Sequence, residues 1–115
     1  MAELESIPLS WKSAVIAILE REDEQFIRWT ERAFLEWRSA TSSAWKYEAY
    51  QAMAEALRDP HIQGQKVFLP METGESWAFG IAYGGRRLYC KICLAEGQLR
   101  IKIISAHIPL KPDKF

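Results

Sequence analysis

The sequence predicts an α+β fold: two or three N-terminal helices packed on a three- to four-stranded antiparallel sheet. Three observations lead there. Apolar residues recur at helical spacing between Trp11 and Leu57, and at a period of two between Trp77 and Ser105. Two glycine-containing turns, Gly84-Gly85 and Ala95-Glu96-Gly97-Gln98, divide the period-two region at hairpin spacing. The chain has 115 residues, 49% of them hydrophobic, with five Trp, five Phe and four Tyr, enough to build the core of one domain.

In chain order, Ser10 is a candidate N-cap for a first helix running to about Arg21, with Trp11, Val15 and Leu19 as its stripe and Ala14 and Ile18 beside it. Asp23 is a candidate cap for a second helix reaching about Arg38. Its stripe is Phe26, Thr30, Ala33 and Trp37, flanked by Trp29 and Phe34, and Glu24–Arg28 and Arg32–Glu36 are its i,i+4 pairs. The polar run from Ser39 to Ser43 precedes a third helix, Ala44 to Arg58, whose alanines Ala49, Ala52 and Ala56 permit close packing. Asp59-Pro60 ends it, because proline lacks the N–H that continuation needs.

Lys66 to Leu69 reads as a short strand. In the next strand Trp77, Phe79, Ile81 and Tyr83 share one parity, and the small residues Ala78, Gly80 and Ala82 share the other. From Arg86 to Leu94 one face is Leu88, Cys90, Ile92 and Leu94, and the opposite face Tyr89, Lys91 and Cys93. From Leu99 to Ser105 the apolar parity is Leu99, Ile101 and Ile103, and the other is Arg100, Lys102 and Ile104. These last strands form the expected meander. The tail after His107, with two prolines, is expected to extend an edge.

Several function classes are excluded or disfavoured. No run is long enough to span a bilayer, and the N-terminus has neither a basic region nor an apolar stretch of leader type, which predicts a cytoplasmic protein without a membrane partner. There is no glycine-rich phosphate loop, no HExxH and no nucleophile elbow, and only two histidines, so no cofactor or metal is expected. Cys90 and Cys93 have CxxC spacing, but three residues along a strand places them on opposite faces, which favours packing over redox or zinc chemistry.

Charge is unevenly distributed. Residues 1–60 carry 11 acidic and 7 basic side chains, residues 61–115 carry 4 and 8, so a net of −4 faces a net of +4. The cationic sheet half is suited to a phosphate chain or to an acidic partner. Its polar set is Tyr89, Lys91 and His107, with Arg86, Arg87, Arg100 and Lys102 as phosphate-binding candidates. RNA cleavage through the 2′-hydroxyl needs a base, a cation for the phosphoryl oxygens and a proton for the leaving 5′-oxygen. His107 suits the base or the acid, Lys91 or Arg86 the cation, and Tyr89 can donate a hydrogen bond or stack on a base. The alternative is a non-catalytic protein-interaction module of the same fold, using Trp29 and Trp37 as an exposed aromatic patch, with a homodimer among its possible assemblies.

The stretch GGRRLYCKICLAEGQLRIKIISAH resembles the small ribonuclease toxins of bacterial toxin–antitoxin systems, the RelE-like group and within it the motility quorum-sensing regulator toxins. Those end in a hairpin with a Tyr-x-Lys strand followed by a strand closing in Ile/Val-Ser-x-Lys. The resemblance makes Tyr89 the functional tyrosine, keeps Lys91 as the lysine after it, and puts His107 where the family has its terminal lysine. The family's glutamine on the preceding strand has no counterpart near Trp77 and Ala78. The resemblance implies a metal-independent endoribonuclease acting on mRNA, partnered by a cognate antitoxin that covers the basic face.

Overall fold

The computed structural model of the protein describes residues 4–109. Within them the chain runs β1 (Glu5–Ser6), α1 (Leu9–Arg21), β2 (Ile27–Trp29), α2 (Glu31–Thr41), α3 (Lys46–Arg58), β3 (Gln63–Val67), β4 (Glu75–Tyr83), β5 (Arg86–Leu94) and β6 (Ile101–His107). The architecture is α+β, with the helices packed against one face of the sheet. The sheet has six strands rather than three or four, in the order β1-β3-β4-β5-β6-β2. All neighbours are antiparallel except β2 and β6, which are parallel. Residues 110–115, the end of the expected edge extension, lie outside the described residues. No helix among the described residues is long and apolar enough to cross a membrane.

The first helix forms on its expected stripe, with Trp11, Val15, Ile18 and Leu19 buried. Each fully buried aliphatic side chain contributes about 1.5–3 kcal/mol. Its start differs from expectation. Pro8 is the N-cap and its carbonyl accepts from Lys12 N, so Ser10 falls in the first turn and caps nothing. Trp11 is fixed at both ends: its ring meets Phe79 edge-on at 6.3 Å, and its Nε1 donates to the Glu75 carbonyl at 2.9 Å.

The expected second helix is broken. Asp23 Oδ1 accepts from Gln25 N in a local turn, and the chain then extends through Ile27–Trp29 as β2. The switch is tertiary in origin. Ile27 and Trp29 bury their side chains towards the helix side, while the backbone pairs with Ile101–Ile103. Thr30 then caps α2, its Oγ1 accepting from Ala33 N at 3.0 Å. The Arg32–Glu36 pair is present at 3.0 Å. Glu24, off the helix, instead accepts from the Tyr50 hydroxyl and lies 3.8 Å from Lys46.

α2 lies over β6, α3 over β4, and α1 packs beside α3, tied to it by the Arg58–Glu20 ion pair. The core sits between these helices and Trp77, Phe79 and Ile81 of β4, Leu88, Cys90 and Ile92 of β5, and Ile101 and Ile103 of β6. Trp37 is fully buried with its Nε1 unpaired among the described residues, a cost of about 1–3 kcal/mol. Its ring meets Tyr83 at 5.0 Å. The β4–β5 turn uses Gly84 (φ +57°) and Gly85 (φ +77°), the double positive-φ turn whose twist matches a hairpin. Among the described residues no helix covers the opposite face of the sheet, and that face bears the candidate site.

Candidate functional site

Alternation along β5 places Arg87, Tyr89, Lys91 and Cys93 on the face away from the helices, because Leu88, Cys90 and Ile92 are committed to the core; of these four Cys93 is buried, against Thr73. On β6 the alternation is interrupted. Ile92 pairs with Ile103 but Lys91 pairs with Ser105, so Ile104 is an extra residue in a bulge. Strict alternation puts His107 on the same side as Ile101 and Ile103. The bulge resets the phase, so that Ala106 enters the core opposite Cys90 and His107 stands opposite Tyr89.

Tyr89, Lys91 and His107 are thereby brought together. The Tyr89 and His107 rings stack with centroids 5.1 Å apart and planes 30° from parallel. Lys91 Nζ lies 5.9 Å from the Tyr89 ring centroid. On β4 the residues beside them are Gly80, opposite Tyr89, and Ala78, opposite Lys91. Neither carries a side chain that competes for the space above the sheet. His107 Nδ1 is 2.7 Å from the Ile108 carbonyl oxygen. A carbonyl only accepts, so Nδ1 is the donor in this contact and Nε2 is the ring nitrogen left for a ligand. Burial, with a smaller contribution from the neighbouring Cys90, pushes the Tyr89 hydroxyl above the ordinary tyrosine value. It is a proton-bearing donor at neutral pH.

The segment carrying His107 is held from the helix side. Among the described residues β2 pairs only with Ile101–Ile103, which leaves the rest of the β6 edge without a strand as partner. α2 supplies one: Thr30 N donates to the Ile103 carbonyl, Thr30 Oγ1 to the Ile104 carbonyl, and Ala106 N donates to Glu36 Oε1 at 3.2 Å. Thr30 and Glu36 were not legible as site residues, because Thr30 fits the helical stripe and Glu36 fits a surface pair.

The four phosphate-binding candidates divide. Arg87 is exposed on the open face, two residues from Tyr89. Lys102 is on that face beside Cys93, with its Nζ 2.8 Å from Glu72 Oε2. Arg100 is exposed in the β5–β6 turn. Arg86 has the opposite parity, and its Nη1 donates to the Ala40 carbonyl near the C-terminal end of α2, a favourable place for a cation. It does not join Tyr89 and Lys91.

The cysteines are free and occupy opposite faces. Cys90 is in the core, where burial raises its thiol pKa strongly, and Cys93 Sγ is 3.6 Å from the Thr73 carbonyl. Among the described residues no three His, Cys, Asp or Glu side chains are grouped to hold a metal ion. The exposed aromatic patch of the alternative reading, Trp29 with Trp37, does not form. Trp37 is buried, and Trp29 is half-buried with its Nε1 donating to the Tyr50 hydroxyl at 2.9 Å. No family model, no curated protein and no solved structure matches the chain.

Proposed function

We propose that the protein is a metal-independent endoribonuclease of toxin type that cleaves mRNA on the open face of its sheet, with a cognate antitoxin covering that face. The observation that carries the reading is the convergence of Tyr89, Lys91 and His107 through the bulge at Ile104. His107 Nε2 takes the proton of the ribose 2′-hydroxyl. The 2′-oxygen bonds to phosphorus and the bond from phosphorus to the 5′-oxygen breaks, leaving a 2′,3′-cyclic phosphate. Water protonates the departing 5′-oxygen, and His107 returns its proton to the hydroxide so formed. Lys91 neutralises the charge growing on the phosphoryl oxygens. The Tyr89 hydroxyl donates to one of those oxygens, and its ring keeps the imidazole in plane.

The test is cleavage of a mixed-sequence RNA in EDTA, with and without ribosomes. Wild-type protein is expected to cut, and His107→Ala and Tyr89→Phe to fold normally and cut at least about 10²-fold more slowly. Cleavage retained by both variants removes these residues from the site. Absence of cleavage by the wild type under either condition leaves the non-catalytic interaction module as the better reading.

A further inference from the structure

The open face carries cations beyond the Tyr89–His107 end, and one of them, Arg28, has no role in the chemistry above. The parallel register of β2 sets Arg28 directly beside Lys102. On the other side of Lys102 stands Cys93, two residues along β5 from Lys91. Arg87, Lys91, Lys102 and Arg28 therefore follow one another diagonally across three adjacent strands. Strand geometry spaces these backbone positions by about 13, 8 and 5 Å in turn, about 26 Å in all. Beyond them, Arg28, Arg100 and Lys102 share the lining of a cleft of about 450 Å³ with Glu72 and Thr73.

A carboxylate is built into this line. Glu72 belongs to the β3–β4 connection, which folds back over the open face at this end, and its Oε2 is 2.8 Å from Lys102 Nζ with both side chains partly exposed. A partly exposed pair of this kind contributes modestly to stability. It does occupy the cation that stands midway between Lys91 and Arg28.

We infer that the diagonal holds successive phosphates of a single-stranded nucleic acid running from the Tyr89–His107 end towards β2, with Arg28 on the distal phosphate and Glu72 competing with the ligand for Lys102. The occupant is a single strand because one line of cations matches one backbone. The stacked rings of Tyr89 and His107 also give an unpaired base a surface to lie on. This rests on the reading of the open face as an RNA surface and needs no cleavage.

The probe is a labelled 2′-deoxy oligonucleotide of mixed sequence, about eight nucleotides long. It lacks the 2′-hydroxyl and cannot be cut, so anisotropy reads binding alone. Arg28→Gln is expected to weaken binding several-fold and to reduce the slope of log K against log salt by about 0.7, the value for one phosphate on a single strand. Glu72→Gln is expected to tighten binding several-fold, a direction that a purely structural ion pair does not give. Both side chains are at least partly solvent-exposed, and thermal melts verify that both variants fold. Wild-type affinity in both variants overturns the track, as does polyglutamate binding as tightly as the oligonucleotide. RNA cleavage without a shift in either variant overturns the track alone. Absent cleavage with the two shifts present supports the track and overturns the ribonuclease reading alone, and no oligonucleotide binding overturns both.

Discussion

The two faces of β5 are built from one nine-residue stretch and behave as different materials. On one side Leu88, Cys90 and Ile92 are fully buried against the helices and Phe79. On the other, Arg87, Tyr89 and Lys91 stand beside Ala82, Gly80 and Ala78. The backbone is common to both, so the difference lies only in what covers each side. The core residues Leu88, Cys90 and Ile92 share one parity and the candidate site residues Tyr89 and Lys91 the other. A substitution on the covered face should be read in a melting curve, and one on the open face in binding or turnover.

The sharpest way to break that division is from the core side. Phe79→Ala removes a ring packed on Trp11 and is expected to cost about 3–5 kcal/mol in urea unfolding. Cleavage per folded molecule should be unchanged, and a loss beyond the unfolded fraction would show the faces to be coupled. His107→Ala is the reverse case, with turnover lost while the unfolding midpoint stays close to wild type. Thr30→Ala sits between them. It removes the cap of α2, worth about 1 kcal/mol, and also the bond to the Ile104 carbonyl. A modest fall in both stability and turnover is expected, and a fall in stability alone would show that the bulge needs no support from α2.

The smallest effect concerns pH and stays on the covered side. Hydrogen bonds from Ser43 and then Tyr83 hold the Glu48 carboxyl below its usual value, against a weaker opposing effect of burial. A carboxyl with a depressed folded pKa contributes stability that is full above the unfolded value and lost as pH falls through the folded one. The stability gap between wild type and Glu48→Gln should therefore narrow in acid, below the ordinary carboxyl value of 4.5. Urea midpoints across a pH series measure it, and a gap that widens in acid would contradict the assignment.

Much of the β4–β5 hairpin was legible in the sequence, because nine-residue alternation and a Gly-Gly turn are strong local signals. The shared face of Tyr89 and Lys91 followed from the same alternation. The opposite orientation of Arg86 was also available from it, since Arg86 has the parity of Leu88 and Cys90. β2 was not legible. Phe26, Thr30, Ala33 and Trp37 fall at helical spacing, and three residues of strand leave too little period-two signal to compete. What makes Ile27–Trp29 a strand is β6, more than seventy residues later. The bulge was hidden for a similar reason: Ile104 is an aliphatic residue among aliphatic residues, and only the partner strand reveals that it is skipped.

The position of β6 between β5 and β2 has a consequence for how the molecule is made. β2 belongs to the first third of the chain, yet among the described residues its only strand partner is β6, near the other end. A growing chain that has passed Trp29 cannot dock that segment until Ile101–His107 has also been synthesised and is free to pair. Long-range pairing of this kind closes a large loop before it gives any contact in return, and it slows folding. The candidate site depends on that same closing strand. Partial chains on the ribosome would therefore carry Tyr89 and Lys91 without His107 beside them, and the completed surface would arise only with the final pairing step.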